Sequence, residues 1–221
     1  MTMRPFFLLA ALACLPLFGQ VNRVEVNHGY VTELARERAA APYQERPHSL
    51  PDSLRRLDDR DYKKIQFRDE DALWRADHLP FIAEFFHPGS PSSKGLTINE
   101  FTTDHAQRIP FLSSDYDYAG LRLGGWLTSG LDYAGFRLLY HLNQPDRWDE
   151  VASFLGGSYF RCLGRGQRYG LSACALVLDP GGPQEEFPDF VEVWLGKPDP
   201  AADKITVHAL LDGPSVAGAY T

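Results

Sequence analysis

The chain has 221 residues, 44% of them hydrophobic, with a formal net charge of -7. That apolar content fills a real core and excludes a disordered chain. The acidic balance, without any long basic run, argues against nucleic acid as a partner. The length allows one large all-β domain or two small ones.

Met1 to Arg4 is a short basic start, and Pro5 to Phe18 is apolar and ends at Gly19-Gln20. This order reads as a secretory signal peptide over residues 1–19. The apolar run is too short for a comfortable membrane span. A competing reading makes Cys14 the lipidated residue of a loose lipobox, Ala11-Leu12-Ala13-Cys14. Removal of the leader implies an exported protein with no further membrane span.

Residues 20–63 read as a helical lead-in and connector. Tyr30 to Ala41 is the one convincing helix, with Val31, Leu34, Ala35 and Arg38 at helical spacing and Pro42 ending the run. Leu50-Pro51-Asp52-Ser53 suits the start of a short helical turn, and Asp58 to Tyr62 a turn or one more helical turn. From residue 64 the texture changes to short strands: Ile65–Phe67, Phe81–His87, Leu96–Phe101, Arg108–Phe111 and Ala134–Leu142. Asp115-Tyr116-Asp117-Tyr118 is a polar aromatic loop that suits a sugar contact, a hard cation or a plain turn. Asn143 to Glu150 reads as a turn-rich link.

Phe154 to Asp179 reads as two strands about a glycine turn, with arms Ser158–Cys162 and Tyr169–Leu178 around Gly164 and Gly166. The second arm is apolar on both faces and belongs inside a sandwich. Arg161, Arg165, Gln167, Arg168, Tyr169 and Ser172 beside the turn supply planar donors and an aromatic face suited to a sugar. The plainer reading pairs Arg161 with Tyr169 across the strands and leaves Arg165 and Arg168 to solvate the turn. Cys162 and Cys174, one on each arm, either pair or sit as two small core thiols. Phe190–Leu195, Lys204–Leu211 and Ser215–Tyr220 complete the strands. One leading helix followed by many short strands predicts a mainly β chain folded as a β-sandwich. The last strand stops at the chain end, so the sandwich is expected to be incomplete there.

No GxSxG, HExxH or Walker pattern appears, and no CxxC or clustered His spacing marks a metal site. No cofactor is expected. The acids to weigh are Asp115, Asp117, Asp132, Asp146, Asp149, Glu150 and Asp179, since glycoside hydrolysis needs two carboxylates across the scissile bond.

The ordered set DYKKIQFRDEDALWR, FFHPG, LDYAGFRLLYHLN, EVASFLGGSYFRCLGRGQRYGLSA, EEFPDFVEVWL and ALLDGPSVAGAY resembles the periplasmic glucan biosynthesis family OpgG/OpgD, also called MdoG. The resemblance covers essentially the whole mature chain. It implies a periplasmic protein of osmoregulated glucan biosynthesis, with β-1,2-linked glucan as its partner and other envelope glucan-synthesis proteins beside it. It also implies a galactose-mutarotase-like sandwich followed by a smaller immunoglobulin-like domain, and hydrolases acting within β-1,2-glucan. Members of this family are more than twice as long, so the chain is expected to be their amino-terminal part, ending before the family's catalytic acids. Cys174 and Ala175 stand where the family shows Arg-Gly. On this reading residues 64–221 hold glucan through Tyr159, Arg161, Gln167, Tyr169 and Asp117. The alternatives are a non-catalytic carbohydrate-binding scaffold and an inactive fragment.

Overall fold

The computed structural model describes residues 24–46, 50–89, 94–121, 123, 130–168 and 170–221. The expected leader, Cys14 within it, and Tyr169 lie outside the described residues. Three helices come first: α1 (His28–Ala40), α2 (Asp52–Arg55) and α3 (Asp59–Tyr62). The strands follow as β1 (Gln66–Phe67), β2 (Phe81–Phe86), β3 (Thr97–Phe101), β4 (Ala106–Arg108), β5 (Tyr116–Asp117) and β6 (Gly135–Tyr140). Then come β7 (Asp149–Leu155), β8 (Tyr159–Cys162), β9 (Ala173–Cys174), β10 (Asp189–Gly196), β11 (Val207–Asp212) and β12 (Ala217–Tyr220).

Helix α1 begins where Asn27 caps it. The Asn27 side-chain oxygen accepts the Tyr30 N–H at 3.0 Å, satisfying one of the orphan donors of the first turn. Extended Ala41 and then Pro42 end the helix. Val31 and Ala35, one turn apart, are the buried pair of its inner face.

Two five-stranded sheets form the body, in the orders β12-β11-β10-β3-β4 and β2-β6-β7-β8-β9, beside a small β1-β5 ribbon. The β10–β3 pair is parallel and the other pairs are antiparallel. The inner faces meet in one core: Ile98, Val193, Leu195 and Leu211 from the first sheet, Ala83, Phe85, Phe136 and Leu138 from the second. Phe154 and Phe190 touch across the gap with ring centroids 6.2 Å apart. Each such side chain contributes about 1.5–3 kcal/mol by leaving water. Leu54 of α2, fully buried, packs into the same core. The expected β-sandwich is therefore what the chain forms.

The outer faces differ. Helix α1 lies over the first sheet, with Val31 and Ala35 against Val191, Trp194 and Leu210. On the second sheet, among the described residues, a small apolar cluster forms from Ala72, Ile82 and Leu139, with Phe67 and Trp148 at its edge.

Several expectations need correction. The expected pair of arms about Gly164 and Gly166 is present as antiparallel β8 and β9, but short, and a second hairpin, turning at Gly156 and Gly157, joins β7 to β8 ahead of it. Both glycines have positive φ (72° and 57°), the conformation that lets a tight hairpin follow the strand twist. Asn143–Glu150 is not all link, because β7 begins at Asp149. The second arm is a strand only at Ala173–Cys174, an edge; Gly170, Leu171 and Ser172 before it are exposed, and the residues from Ala175 to Leu178 after it are half-buried. The strand predicted at Arg108–Phe111 is Ala106–Arg108, since Pro110 has no N–H for a ladder. The two thiols are free. Cys174 pairs with Tyr159, three residues from Cys162 along β8. That offset is about 10 Å of strand, beyond disulfide reach. Nor is Cys162 a core thiol: it is exposed at the end of β8.

Candidate functional site: a cleft on the outer face of the second sheet

The uncovered face of the second sheet carries a row of polar side chains set by strand alternation. Glu84 of β2, Arg137 of β6, Ser153 of β7 and Arg161 of β8 are neighbours in register. Glu84 is only 3% exposed. Arg137 donates to its Oε2 from Nε at 2.7 Å and again from Nη2. A bare carboxylate at that depth would carry a large desolvation penalty, so the forked guanidinium is what makes the position tolerable.

A bulge adds the next group. β6 and β7 pair regularly from Gly135↔Leu155 to Leu138↔Ala152, and then Leu139 meets Glu150. In regular pairing Val151 would stand opposite Leu139 on the outer face. The bulge turns Val151 toward the core and aims Glu150 outward. Glu150 then sits between two arginines, with Oε2 3.6 Å from Arg137 Nη1 and Oε1 3.5 Å from Arg161 Nη2. The result is a charge ladder, Glu84–Arg137–Glu150–Arg161, across four adjacent strands.

Trp148 walls one side. Its indole lies 3.9 Å from the His141 ring and 5.5 Å from the Arg75 guanidinium, centroid to group. Arg75 is presented there by Trp74, a bulky residue held at φ 69°. Such a conformation is strained and persists only where the surroundings enforce it. Trp74 is buried, and its Nε1 donates to Glu100 Oε1 at 2.6 Å.

The loop after β8 closes the other side. Arg165 Nε donates to Leu142 O at 3.0 Å, and Gly166 N to Asn143 Oδ1 at 2.9 Å. Asn143 in turn donates to Asp149 Oδ2 from its backbone (2.9 Å) and side-chain (3.1 Å) nitrogens. Together these walls enclose about 760 Å³, a volume in the range of small-molecule sites. Arg75, Arg137, Arg147 and Arg168 line it against Asp69, Glu84, Asp149 and Glu150. This balance suits a neutral ligand rich in hydroxyls better than a strongly charged one. Two buried polar atoms of the lining, Arg75 Nε and Glu150 Oε1, have no hydrogen-bond partner among the described residues. Glu150 Oε1 faces Arg161, but without hydrogen-bond geometry. Buried polar atoms are nearly always satisfied, so an orphan in a cleft points to water or a ligand.

The structure brings some of the predicted residues together. Gln167 lines the cavity, and its amide oxygen accepts the Gly164 N–H at 2.7 Å. Arg161 borders it through Glu150. Tyr159 lies on the same face, two residues along β8, stacked with Phe187. Asp117 stands apart, in the small ribbon, where its side chain accepts the Ala119 N–H at 2.8 Å and shapes a turn. Glu84, Arg137, Arg75 and Trp148 were missed. The available signal was one acid in FIAEFF and one arginine in GFRLLY, each alone in the middle of an apolar strand.

Comparison with known proteins places the chain in a family. The model of the family described as "Periplasmic glucan biosynthesis protein, MdoG" matches residues 27–221. The chain is 42% identical to Glucans biosynthesis protein G of Rhodopseudomonas palustris (strain BisA53), over 96% of this chain and 44% of that protein. It is 40% identical to Glucans biosynthesis protein G of Pseudomonas syringae pv. tomato, over 96% of this chain and 33% of that protein. The Bradyrhizobium diazoefficiens protein of the same name is 42% identical over 86% of this chain and 38% of its own length. The chain thus spans less than half the length of the curated relatives it matches, and it belongs to the MdoG family of periplasmic glucan biosynthesis proteins.

Proposed function

We propose that this chain binds the backbone of a β-1,2-linked glucan in the cleft on the second sheet, as the amino-terminal part of a periplasmic glucan biosynthesis protein. The observation that carries the reading is the pair of orphaned polar atoms, Arg75 Nε and Glu150 Oε1, in a charge-balanced cleft walled by an indole. Sugar hydroxyls donate and accept in the same group, so they suit a cleft that holds both an N–H without a hydrogen bond and a carboxylate oxygen that faces a guanidinium without one. The relatives' name supports a glucan as the ligand. The basic, then apolar, start of the chain supports export through a signal peptide over residues 1–19. Among the described residues no helix is long and apolar enough to cross a membrane.

Arg161 and Gln167 are the expected residues best placed to contact the sugar, with Tyr159 further along the face. Tyr169, next to Arg168 in sequence, remains a candidate, and Asp117 would contact only a chain that reached the ribbon. Each glutamate of the ladder already faces a guanidinium. We therefore read these acids as holding hydroxyls, with any cutting of the glucan left to the longer protein. Residues 64–221 supply the glucan-binding part, residues 20–63 the lead-in, and other envelope glucan-synthesis proteins are the natural neighbours. Titration of the leaderless chain with β-1,2-gluco-oligosaccharides, followed by tryptophan fluorescence and calorimetry, tests this. Saturable binding that Glu150→Gln weakens at least tenfold is expected. No heat and no fluorescence change at millimolar sugar would overturn it.

A further inference from the structure

The cleft does not end at the charge ladder. A second recess of about 240 Å³ shares Glu84 and Arg137 with the main cavity and continues to Tyr62, Gln66, Phe86 and Leu155. Leu155 also lines the surface around Tyr159. Leu155 thus joins the recess to the end of the sheet where Tyr159 stands.

The chemistry changes along this path. One step along the strands from the Glu84–Arg137–Ser153–Arg161 row lies the row Phe86, Gly135, Leu155 and Tyr159. This row is apolar and shallow. Gly135 cannot carry a side chain there, because a Cβ would sit 2.0 Å from Phe154 O. The row is therefore bare at its centre by necessity of backbone packing. At its far end Tyr159 (41% exposed) and Phe187 (45% exposed) stack on each other, with centroids 6.5 Å apart and planes 26° from parallel. Leu155 beside them is 38% exposed. Large aromatics this open contribute little to the core, and a stacked pair with open faces is a surface on which a pyranose can lay its C–H side.

We propose that this shelf is a remote binding subsite for the same saccharide chain: sugar units beyond those held at the charge ladder run over Leu155 and stack on Tyr159 and Phe187. The proposal rests on the cleft reading above and adds a second, apolar segment to it. The two rows are about 7 Å apart along the strands, so a linear glucan crosses from one to the other within a few units. The ladder fixes hydroxyls and register, and the shelf adds affinity that depends on chain length.

The test is affinity as a function of oligosaccharide length, for the leaderless chain and for Tyr159→Ala, Phe187→Ala and Tyr159→Phe. Wild type is expected to gain about tenfold, near 1.4 kcal/mol, between short and long β-1,2-gluco-oligosaccharides. Phe187→Ala is expected to lose that gain while binding the short ones as wild type does, Tyr159→Ala to lose the gain as well, and Tyr159→Phe to keep it. Unchanged binding of short sugars also shows that Phe187→Ala is folded. If the variants keep the full length dependence, or wild type has none, the shelf proposal falls and the cleft reading stands. If wild type binds no sugar of any length, both fall. Concentration-dependent dimers in sedimentation, abolished by Phe187→Ala, would assign the shelf to self-association and overturn the proposal.

Discussion

The two sheets have matching inner faces and opposite outer ones. The first sheet turns Val191, Trp194 and Leu210 outward and covers them with α1. The second turns Glu84, Arg137, Ser153 and Arg161 outward and leaves them under an open cleft. Each charged group in that row is tolerated because its neighbour carries the opposite sign, whereas the apolar row of the first sheet is tolerated because a helix excludes water from it. A strand with one buried face is free to use its other face for stability or for recognition, and on the proposed reading the first sheet does the one and the second the other.

The shared inner face should be the most sensitive part of the molecule. Phe136 is fully buried and stacks on Phe154 at 4.7 Å. Phe136→Ala is expected to cost about 3–5 kcal/mol in urea unfolding, and a loss under 1 kcal/mol would contradict a common core. Acid should strike next, at the end of β2. His87 is buried among Phe111, Tyr116 and Tyr118, and burial lowers its pKa from the ordinary 6.5 to about 4. The unfolded chain takes up this proton near 6.5 and the folded chain only near 4, so in that window the unfolded state binds more protons. Stability is then full above the upper value, falls with pH and is lost at the lower, by roughly 3 kcal/mol. His87→Asn should flatten the slope of unfolding free energy against pH between those limits; an unchanged slope would exclude His87 as its source.

The ladder itself should behave as a buried pair with one open end. Arg137 is about one-third exposed, so Arg137→Met is expected to cost about 2 kcal/mol after allowing for solvent screening. Adding Glu84→Gln should recover much of that loss, a coupling a double-mutant cycle measures directly. On the helix-covered side, Asn27→Ala removes a cap and is expected to cost about 1 kcal/mol, without any effect on sugar binding. A shift in saccharide affinity on Asn27→Ala would break the division of labour between the sheets.

The fold was largely legible because most strands alternate or run apolar between strong turn signals, as in FIAEFF before Pro88-Gly89. α1 was legible through its 3.6-residue pattern and its Pro42 stop. The arms about Gly164 and Gly166 do pair, but the tighter hairpin at Gly156 and Gly157 was missed, because both glycine pairs give the same local signal. The length of each arm depends on its partner strands, and that is a long-range fact. The cleft was half legible. Arg161 and Gln167 stood out as polar residues near glycines. Glu84 and Arg137 did not, because a charge inside an apolar strand gains meaning only once its cross-strand neighbour is known. Glu150 was weighed as one acid among seven, since the bulge that aims it leaves no mark in the sequence.

Hydrogen exchange with and without a β-1,2-gluco-oligosaccharide tests the central claim most directly, because it reads both sheets at once. The account predicts slowed exchange in Asp69–Arg75 and in Glu150–Arg168, with α1, β10 and β11 unchanged. Protection confined to α1 and the first sheet, or none at a saturating sugar concentration, would contradict it.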